Sequence, residues 1–375
     1  MYTVLDYGRM AMDTVRMDAY ARGIARAVRP GDVVIDIGAG TGIFSLLAAK
    51  AGAKHVHAIE PNPAISLLPD IARENGFADR ITVHRCSSFD VTLAERADVM
   101  VSDLRGSFPL YEDHLRIVAD ARTRLLRPGG AILSERDRLS VALVESEDLW
   151  RKYSAGWEAF ERRGFDASAA RVSVLNNAYS DGAAPLAATA VLSTPRVWAD
   201  IDYRTHDSDV VESTVETTVT RGGTAHALTS WFDATVLGDI GYSNAPGASL
   251  VYSRVVLPLL EPVRVEAGDR ARITLRVDAR ATRWAWDTEI ANKSFRQTTF
   301  FGLPVDAETL LRESSSHRPK RSANGERLLS TLRAMDGSAS VGDIAAQVSA
   351  AHPRDAAIPG RILDEIREAV SRYGA

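Results

Sequence analysis

One stretch of the chain, VVIDIGAGTGIFSLLAAKAGAKHVHAIE (residues 33–60), limits the possible fold more than any other. It begins with a continuous run of apolar, mostly β-branched residues, which is typical of a strand buried on both faces. Glycines at positions 38, 40 and 42 then turn the chain into a helix, and a second apolar strand ends at Glu60. A strand, a glycine turn, a helix and a strand in this order predict the start of a parallel α/β sheet.

Strand and helix go on alternating to about residue 145, so we expect a doubly wound, Rossmann-like domain over residues 1–150. The chain before this sheet is predicted to be one helix, over about residues 1–25, that ends ahead of Pro30 and Gly31. Further strands are predicted at 80–86, 97–103 and 131–134, with a helix over 111–130 that Pro128, Gly129 and Gly130 end.

Beyond about residue 165 the sequence changes to short segments rich in threonine, valine and aromatic residues. In RITLRVDA (272–279), Ile273, Leu275 and Val277 alternate with polar residues, which is typical of a half-buried strand. We therefore expect an antiparallel β domain, a barrel or a sandwich, and we assign a β-barrel to residues 151–311.

The last segment, residues 312–375, is predicted to be a linker followed by a small helical domain. The polar stretch RESSSHRPKRSANGE (312–326) is the best linker candidate. Three helical patterns follow, and Ser340 and Asp343 have the spacing of a capping box at the start of the second. We expect a winged-helix-like unit.

Charge and composition limit the partners of the chain. The net charge is −4, which gives no support for nucleic acid or an anionic membrane as a partner. A single cysteine, at position 86, fits a reducing compartment, and no apolar run is long enough to span a bilayer. The eight histidines show no metal-ligand spacing. We therefore expect a cytoplasmic protein without a bound metal.

The spacing of the glycines distinguishes between cofactors. Dinucleotide sites use G-x-G-x-x-G, whereas DIGAGTG resembles the first motif of class I S-adenosylmethionine-dependent methyltransferases. The resemblance implies that the turn receives the amino-acid end of this cofactor and that the acid after the next strand binds its ribose. A dehydrogenase is the less favoured alternative. The cofactor-binding residues implied are Asp36, Gly38, Gly40, Gly42 and Glu60.

Two carboxylates frame the loop after the fourth strand. In VSDLRGSFPLYEDHL, Asp103 and Glu112 are nine positions apart, with Gly106 and Pro109 between them. Taken alone, Asp103 is as compatible with a solvated strand end, and Glu112 with the first turn of the following helix, as with a functional role. Because the pair lies next to a cofactor motif, we favour a clamp for a cation.

This loop resembles the double-glutamate loop of the protein arginine methyltransferases, in which two acids nine residues apart bracket the substrate guanidinium. Asp103 replaces the first glutamate and Glu112 matches the second, so both are candidate catalytic residues. Upstream, MDTVRMDAYARGI resembles the N-terminal helix of that family, which implies that Arg16 pairs with the carboxylate of the cofactor. The resemblance covers about residues 2–300, and it implies a homodimer formed through an arm at about 170–195.

The chain also departs from the family pattern. Asp103 is one methylene shorter than glutamate, and the Thr-His-Trp of the family's barrel loop is replaced by residues 251–253, Val-Tyr-Ser. Phe89 stands where the family has an adenine-binding acid, which leaves Ser88, our choice for the cofactor site, or Asp90 as substitutes. We interpret these departures, together with the helical tail, as features of a bacterial branch.

Three further residues are candidates for substrate binding: Tyr7, Arg105 and Tyr252. Arg105 lies between the two acids, where it would either repel a cationic substrate or bind a substrate carboxylate, and the second option would suit free arginine. For Tyr7 and Tyr252 the alternative is a role in packing, which is the more frequent role of tyrosine.

These patterns predict an S-adenosylmethionine-dependent N-methyltransferase for a guanidino group. The expected acceptor is free arginine or an arginine in a peptide natural-product precursor. Two alternatives stay open: a methyltransferase for a non-guanidine nitrogen or oxygen acceptor, and a catalytically lapsed cofactor-binding protein whose helical tail docks a peptide partner.

Overall fold

The computed structural model describes residues 2–106, 108–182, 185–302, 307–353 and 360–374. The chain forms two compact units, residues 1–304 and 305–375. The helices of the first unit are α1 (Val4–Ala11), α2 (Thr14–Ala27), α3 (Ile43–Lys50), α4 (Leu68–Glu74), α5 (His114–Arg124), α6 (Glu147–Glu161), α7 (Ser168–Leu175) and α8 (Thr299–Gly302). Its strands are β1 (Val33–Ile37), β2 (His55–Ile59), β3 (Ile81–His84), β4 (Ala97–Ser102), β5 (Leu126–Leu133), β6 (Arg136–Val144), β7 (Tyr179–Ser180), β8 (Arg196–Asp202), β9 (Val210–Thr218), β10 (Gly223–Leu237), β11 (Ile240–Ser243), β12 (Val255–Val265), β13 (Arg270–Asp278), β14 (Arg283–Ile290) and β15 (Lys293–Thr298).

The first five strands form a parallel sheet in the order β3-β2-β1-β4-β5. All five residues of β1 are buried, as its continuous apolar run predicts. The predicted strands at 33–37, 55–60, 80–86 and 97–103 are confirmed to within two residues. Because neighbouring parallel strands end at the same edge, β1, β2 and β4 bring the glycine turn, Glu60 and Asp103 to one side of the sheet.

The predicted N-terminal helix is two helices. It breaks at Met12 and Asp13, where the carboxylate of Asp13 accepts a hydrogen bond from the backbone N–H of Arg16 at 3.2 Å and caps α2. Helix α2 buries Ala19 and Ile24 completely, whereas α1 has no buried residue. The first helix therefore lies on the surface.

The predicted helix over 111–130 was wrong at its end. Helix α5 stops at Arg124, and Pro128, Gly129 and Gly130 lie inside β5. Strand β5 accommodates them because its register with β4 is irregular: Ala97 pairs with Leu126, but Val99 pairs with Ala131. The additional residues of β5 between Leu126 and Ala131 form a bulge, in which the regular hydrogen bonds between the two strands are interrupted.

The remaining strands of this unit are antiparallel and form two sheets. One has the order β7-β12-β10-β6-β8, with β11 paired to β10, and the other has the order β15-β14-β13-β9. Strand β13 confirms the half-buried pattern, since Ile273, Leu275 and Val277 are fully buried. Strand β6 pairs with β10 and β8, so the antiparallel part of this unit begins near residue 135. The sequence led us to expect the start of the antiparallel domain at about residue 151.

The second unit consists, in the ranges described, of the helices α9 (Ala307–Glu313), α10 (Ala323–Ala334), α11 (Val341–Ala351) and α12 (Arg361–Tyr373). The capping box of Ser340 and Asp343 is confirmed. Ile344, Val348, Ile362 and Ile366 form its apolar core. The predicted third helix included Ile358 and Pro359, which lie outside the described residues. Residues 307–353 and 360–374 are helical or irregular and contribute no strand of a wing.

Candidate active site

The turn after β1 requires glycine, because its backbone is left-handed and neighbouring side chains pack directly against it. Gly38, Gly40 and Gly42 have φ angles of +76°, +57° and +88°, a region that strains any residue with a Cβ atom. A Cβ added to Gly40 would lie 2.5 Å from the ring of Tyr7 on α1. The turn is therefore a glycine cradle too tight for a larger residue, and Tyr7 packs against it from α1.

Glu60, directly after β2, is buried and braces this turn. Its Oε2 atom accepts a hydrogen bond from the backbone N–H of Gly40 at 3.0 Å, and Oε1 accepts one from that of Asn62 at 2.7 Å. A carboxylate offers about four acceptor positions. Glu60 therefore keeps acceptor capacity for the two hydroxyl groups of a ribose.

Two other predicted cofactor residues carry buried polar atoms without a partner in the described part of the chain: Oδ1 of Asp36 and Oγ of Ser88. The Oδ2 atom of Asp36 accepts a hydrogen bond from Ser45 on α3 at 2.6 Å. Burial raises the pKa of Asp36 to about 7. The cradle and these buried polar atoms fit a polar cofactor at this edge of the sheet.

Arg16 points from α2 towards the exit of β4. Its Nε donates to Oδ2 of Asp103 at 2.5 Å and its Nη1 to the carbonyl oxygen of Met10 at 3.2 Å. Its guanidinium carbon lies 5.4 Å from the ring centroid of Phe44. Within the described residues Nη2 makes no hydrogen bond, so it is available to a carboxylate such as that of the cofactor.

Asp103 is almost fully enclosed, with a side chain that is 3% exposed. Its Oδ1 atom accepts hydrogen bonds from Nη1 of Arg105 at 2.7 Å and from the hydroxyl of Tyr252 at 2.6 Å. Burial opposes its ionisation, but Arg16 and Arg105 outweigh burial and lower the pKa of Asp103 to about 2. Asp103 is therefore a carboxylate at neutral pH.

Arg105 is 1% exposed and all five of its N–H groups have protein partners. It makes a bidentate pair with Asp137 at 2.8 and 3.1 Å. It also donates to Asp103, to the hydroxyl of Tyr20 at 2.9 Å and to Oγ of Ser134. This arrangement speaks against the expectation that Arg105 binds a substrate carboxylate, because no donor is left to do so.

Asp137 and Ser134 were not predicted as parts of the site. Both lie around the start of β6, in the sequence SERDRLSV, which reads as a polar surface segment. Asp137 is fully buried and also accepts a hydrogen bond from the hydroxyl of Tyr203 at 2.5 Å. Only the pairing of β6 with β8 and β10 brings these residues to the exit of β4.

The loop that carries Tyr252 is fixed at both ends. Arg254 and Asp181 form a buried ion pair at 2.7 Å, and Arg254 also donates to the carbonyl oxygen of Ala245 at 3.0 Å. The backbone N–H of Val251 donates to Asp13 on the cap of α2 at 2.9 Å. These anchors hold the hydroxyl of Tyr252 against Asp103.

Glu112, the second acid, is exposed and lies outside this buried cluster. Its φ angle is +48°, which non-glycine residues rarely adopt. Glu112 lies in a turn, as do the other described non-glycine residues with positive φ, Thr282, Ala291 and Asn292. A hydrogen bond to Glu112 raises the pKa of Tyr111. Ser107, in the same loop, lies outside the described residues.

Fold and site together define a class of enzyme, the S-adenosylmethionine-dependent methyltransferases. Residues 6–121 match the family model of the TRM5/TYW2 methyltransferase domain. Protein arginine N-methyltransferase 1 of Chlamydomonas reinhardtii is 30% identical over 268 residues, which are 69% of this chain and 76% of that protein. The same-named protein of Schizosaccharomyces pombe is 30% identical over 250 residues, 65% of this chain and 72% of the relative. The chain therefore belongs to the protein arginine N-methyltransferase family.

Solved structures agree on the fold. Protein arginine methyltransferase 10 of Arabidopsis thaliana superposes with a TM-score of 0.70 at 22% identity, covering 79% of this chain and 97% of that one. The PRMT1 enzyme–prozyme heterotetrameric complex of Trypanosoma brucei, determined with AdoHcy, gives a TM-score of 0.69 at 23% identity, covering 78% and 96%. The cofactor of this chain is S-adenosylmethionine. Among the described residues, no helix has both the length and the apolar character needed to cross a membrane.

Proposed function

We propose that the chain methylates a guanidino nitrogen of arginine, with Asp103 and Glu112 as the acids that hold the acceptor. The observation that carries the proposal is the environment of Asp103. This carboxylate stands at the exit of β4, on the same edge as the glycine turn, and it already binds guanidinium nitrogens at 2.5 and 2.7 Å. Its chemistry therefore suits a third guanidinium.

The cofactor supplies an electrophilic methyl group on a sulfonium, and the residues of this chain place and activate the acceptor. The glycine turn, Glu60 and Arg16 would hold the cofactor. Displacement in line requires the accepting nitrogen within about 3–3.5 Å of the methyl carbon. Two carboxylates on two guanidinium nitrogens would fix that orientation and concentrate the positive charge on them.

Glu112 is our choice for the residue that takes the proton. Asp103, with its pKa lowered to about 2, is a poor proton acceptor near neutral pH. Glu112 is exposed, so a proton taken up there reaches solvent directly. Its backbone at φ +48° costs free energy, and strained residues of this kind are concentrated at functional sites.

The acceptor is, in this proposal, free arginine or an arginine within a peptide natural-product precursor. A strongly acidic surface would favour basic protein tails, and the net charge of −4 over 375 residues is modest. Residues 251–253, Val-Tyr-Ser, stand where the protein arginine methyltransferases that the sequence resembles have Thr-His-Trp. The loss of this histidine fits an acceptor that differs from the acceptors of that family. A bacterial origin and a homodimer stay predictions, and light scattering of the purified chain tests the second.

Labelled cofactor tests the acceptor directly. Free arginine, arginine-containing peptides and a basic protein are each incubated with S-adenosylmethionine carrying a labelled methyl group, and the labelled product is identified by mass. We expect transfer to a guanidino nitrogen of free or peptide arginine. If none of these guanidines accepts a methyl group while the cofactor binds, the proposal is wrong.

A non-guanidine nitrogen or oxygen acceptor is the second candidate. It is favoured by one observation: the charge of Asp103 is already balanced by guanidinium groups of the chain itself. Glu112→Gln separates the two candidates, because a guanidinium acceptor needs a second carboxylate. We expect kcat to fall by about 100-fold or more. Activity that is largely retained would favour the second candidate.

A further inference from the structure

Arg105 joins Asp103, the first of the two acids, to two other parts of the fold. It contacts Asp103 after β4, Tyr20 on α2, and Ser134 and Asp137 near the start of β6. Its guanidinium lies 5.6 Å from the ring centroid of Phe232. With every donor used and only 1% exposed, Arg105 is held in a single orientation.

The hydrogen bonds of Asp103 can be counted against its capacity. A carboxylate has about four acceptor positions, two on each oxygen. Arg105 and Tyr252 occupy both positions on Oδ1, and Arg16 occupies one on Oδ2. One position, on Oδ2, is left.

The charges of this cluster can be counted in the same way. Arg16 and Arg105 carry two positive charges, and Asp103 and Asp137 carry two negative ones. His114 adds no charge at neutral pH, because burial and Arg105 lower its pKa to about 4. The cluster is therefore electrically neutral, and Glu112 supplies the negative charge that attracts a cationic acceptor.

We propose that Arg105 is a positioning residue, which fixes Asp103 so that it offers the acceptor one hydrogen bond, through Oδ2, and no net charge. The inference rests on the proposed function, since it assumes an acceptor at Asp103 and Glu112. Asp103 then orients the guanidinium, while Glu112 binds its charge. In this arrangement Arg105 acts on the reaction through Asp103 and does not touch the acceptor.

Three variants of the full chain test this role. Arg105→Met removes one positive charge, one hydrogen bond to Asp103 and two to Asp137. Arg105→Met with Asp137→Asn removes one charge of each sign, so the cluster stays neutral. Arg105→Lys keeps the charge but loses the planar fork. For each variant, kcat and the KM of the acceptor are measured beside the melting temperature and the affinity for S-adenosylhomocysteine.

We expect kcat to fall by about 100-fold in Arg105→Met, because Asp103 loses one of the three groups that orient it. The KM of the acceptor should fall by about fivefold at the same time, because the cluster now has a net negative charge. In the double variant the KM should return towards that of the native enzyme while kcat stays low. Arg105→Lys should recover about tenfold of the lost kcat.

A purely structural role for Arg105 predicts a different pattern. All three variants would then lose kcat and gain KM together, in proportion to the loss of melting temperature, and this result would overturn the inference. Arg105→Lys, which keeps the buried charge paired, decides the question if Arg105→Met does not fold: a kcat equal to that of the native enzyme would also overturn it. Glu112→Gln distinguishes failure of the role of Arg105 from failure of the proposed guanidine methylation. Full activity in Glu112→Gln would reject the proposed methylation itself.

Discussion

The hydroxyl of Tyr252 donates a hydrogen bond to Oδ1 of Asp103 at 2.6 Å, across 149 positions of sequence. Tyr252 comes from the loop before β12 and Asp103 from the end of β4, so this contact joins the antiparallel sheets to the edge of the parallel sheet. Tyr252 therefore presents a neutral hydrogen-bond donor to the carboxylate of Asp103.

Removing this hydroxyl should weaken catalysis without disturbing the fold. A hydrogen bond to a charged group contributes about 1.5–3 kcal/mol, so Tyr252→Phe should lower kcat/KM by roughly 10- to 100-fold. Steady-state kinetics with the methyl acceptor measure the change. Tyr242→Phe is the matched control, because the hydroxyl of Tyr242 has no partner among the described residues and its removal should matter far less. Equal losses in both variants would refute the role given to Tyr252.

Glu60 should matter for cofactor affinity rather than for the acceptor. Glu60→Gln keeps the shape of the side chain but removes the negative charge that braces the N–H groups of Gly40 and Asn62. We expect the affinity for S-adenosylhomocysteine, measured by calorimetry, to fall by about tenfold or more. Glu74→Gln on the exposed end of α4 is the control and should leave this affinity unchanged. Unchanged binding in Glu60→Gln would remove Glu60 from the cofactor site.

The sequence alone predicts the parts of the site that depend on local patterns. Strands β1 to β4, the glycine turn and the acid after β2 all follow from apolar runs and glycine spacing within about 70 residues of chain. These elements are local because β1 and β4 are buried along nearly their whole length and the glycine turn has its own residue requirement. Prediction is reliable where a short stretch decides its own structure.

The partners of Asp103 could not be predicted in this way. Asp137 lies 32 positions from Arg105, in a segment of alternating charge that resembles any exposed strand edge. It becomes a buried counter-ion only because β6 leaves the parallel sheet and joins the antiparallel one. The bulge that keeps Pro128 inside β5 is likewise decided by pairing with β4 and not by local propensity. Long-range pairing carries no local signature.

The stability of the fold should depend on pH through Asp36. Burial raises the pKa of this carboxyl to about 7, above its ordinary value near 4. Between these two values the native state holds a proton that the unfolded chain releases, so the free energy of unfolding decreases as pH rises from about 4 to about 7. Asp36→Asn removes this contribution.

The variant should therefore gain stability relative to the native sequence as pH rises, by on the order of 1 kcal/mol per pH unit across that window. Chemical denaturation at several pH values, without cofactor, measures the difference. A difference that stays constant between pH 4 and pH 7 would contradict the burial of an acidic proton at Asp36.

The ion pair between Asp181 and Arg254 provides the last prediction, which concerns the support of Tyr252. Both side chains are at most 2% exposed, so removing one charge leaves the other buried and unpaired. Asp181→Asn should lower the free energy of unfolding by about 3–5 kcal/mol. Glu266→Gln is the matched control, because the pair of Arg264 and Glu266 is more than 70% exposed and such a pair contributes about 0–1 kcal/mol.

Because Arg254 also holds the backbone of the loop before Tyr252, Asp181→Asn should lower kcat even at temperatures where the variant is fully folded. A variant as active as the native enzyme under those conditions would show that Tyr252 keeps its place without this anchor.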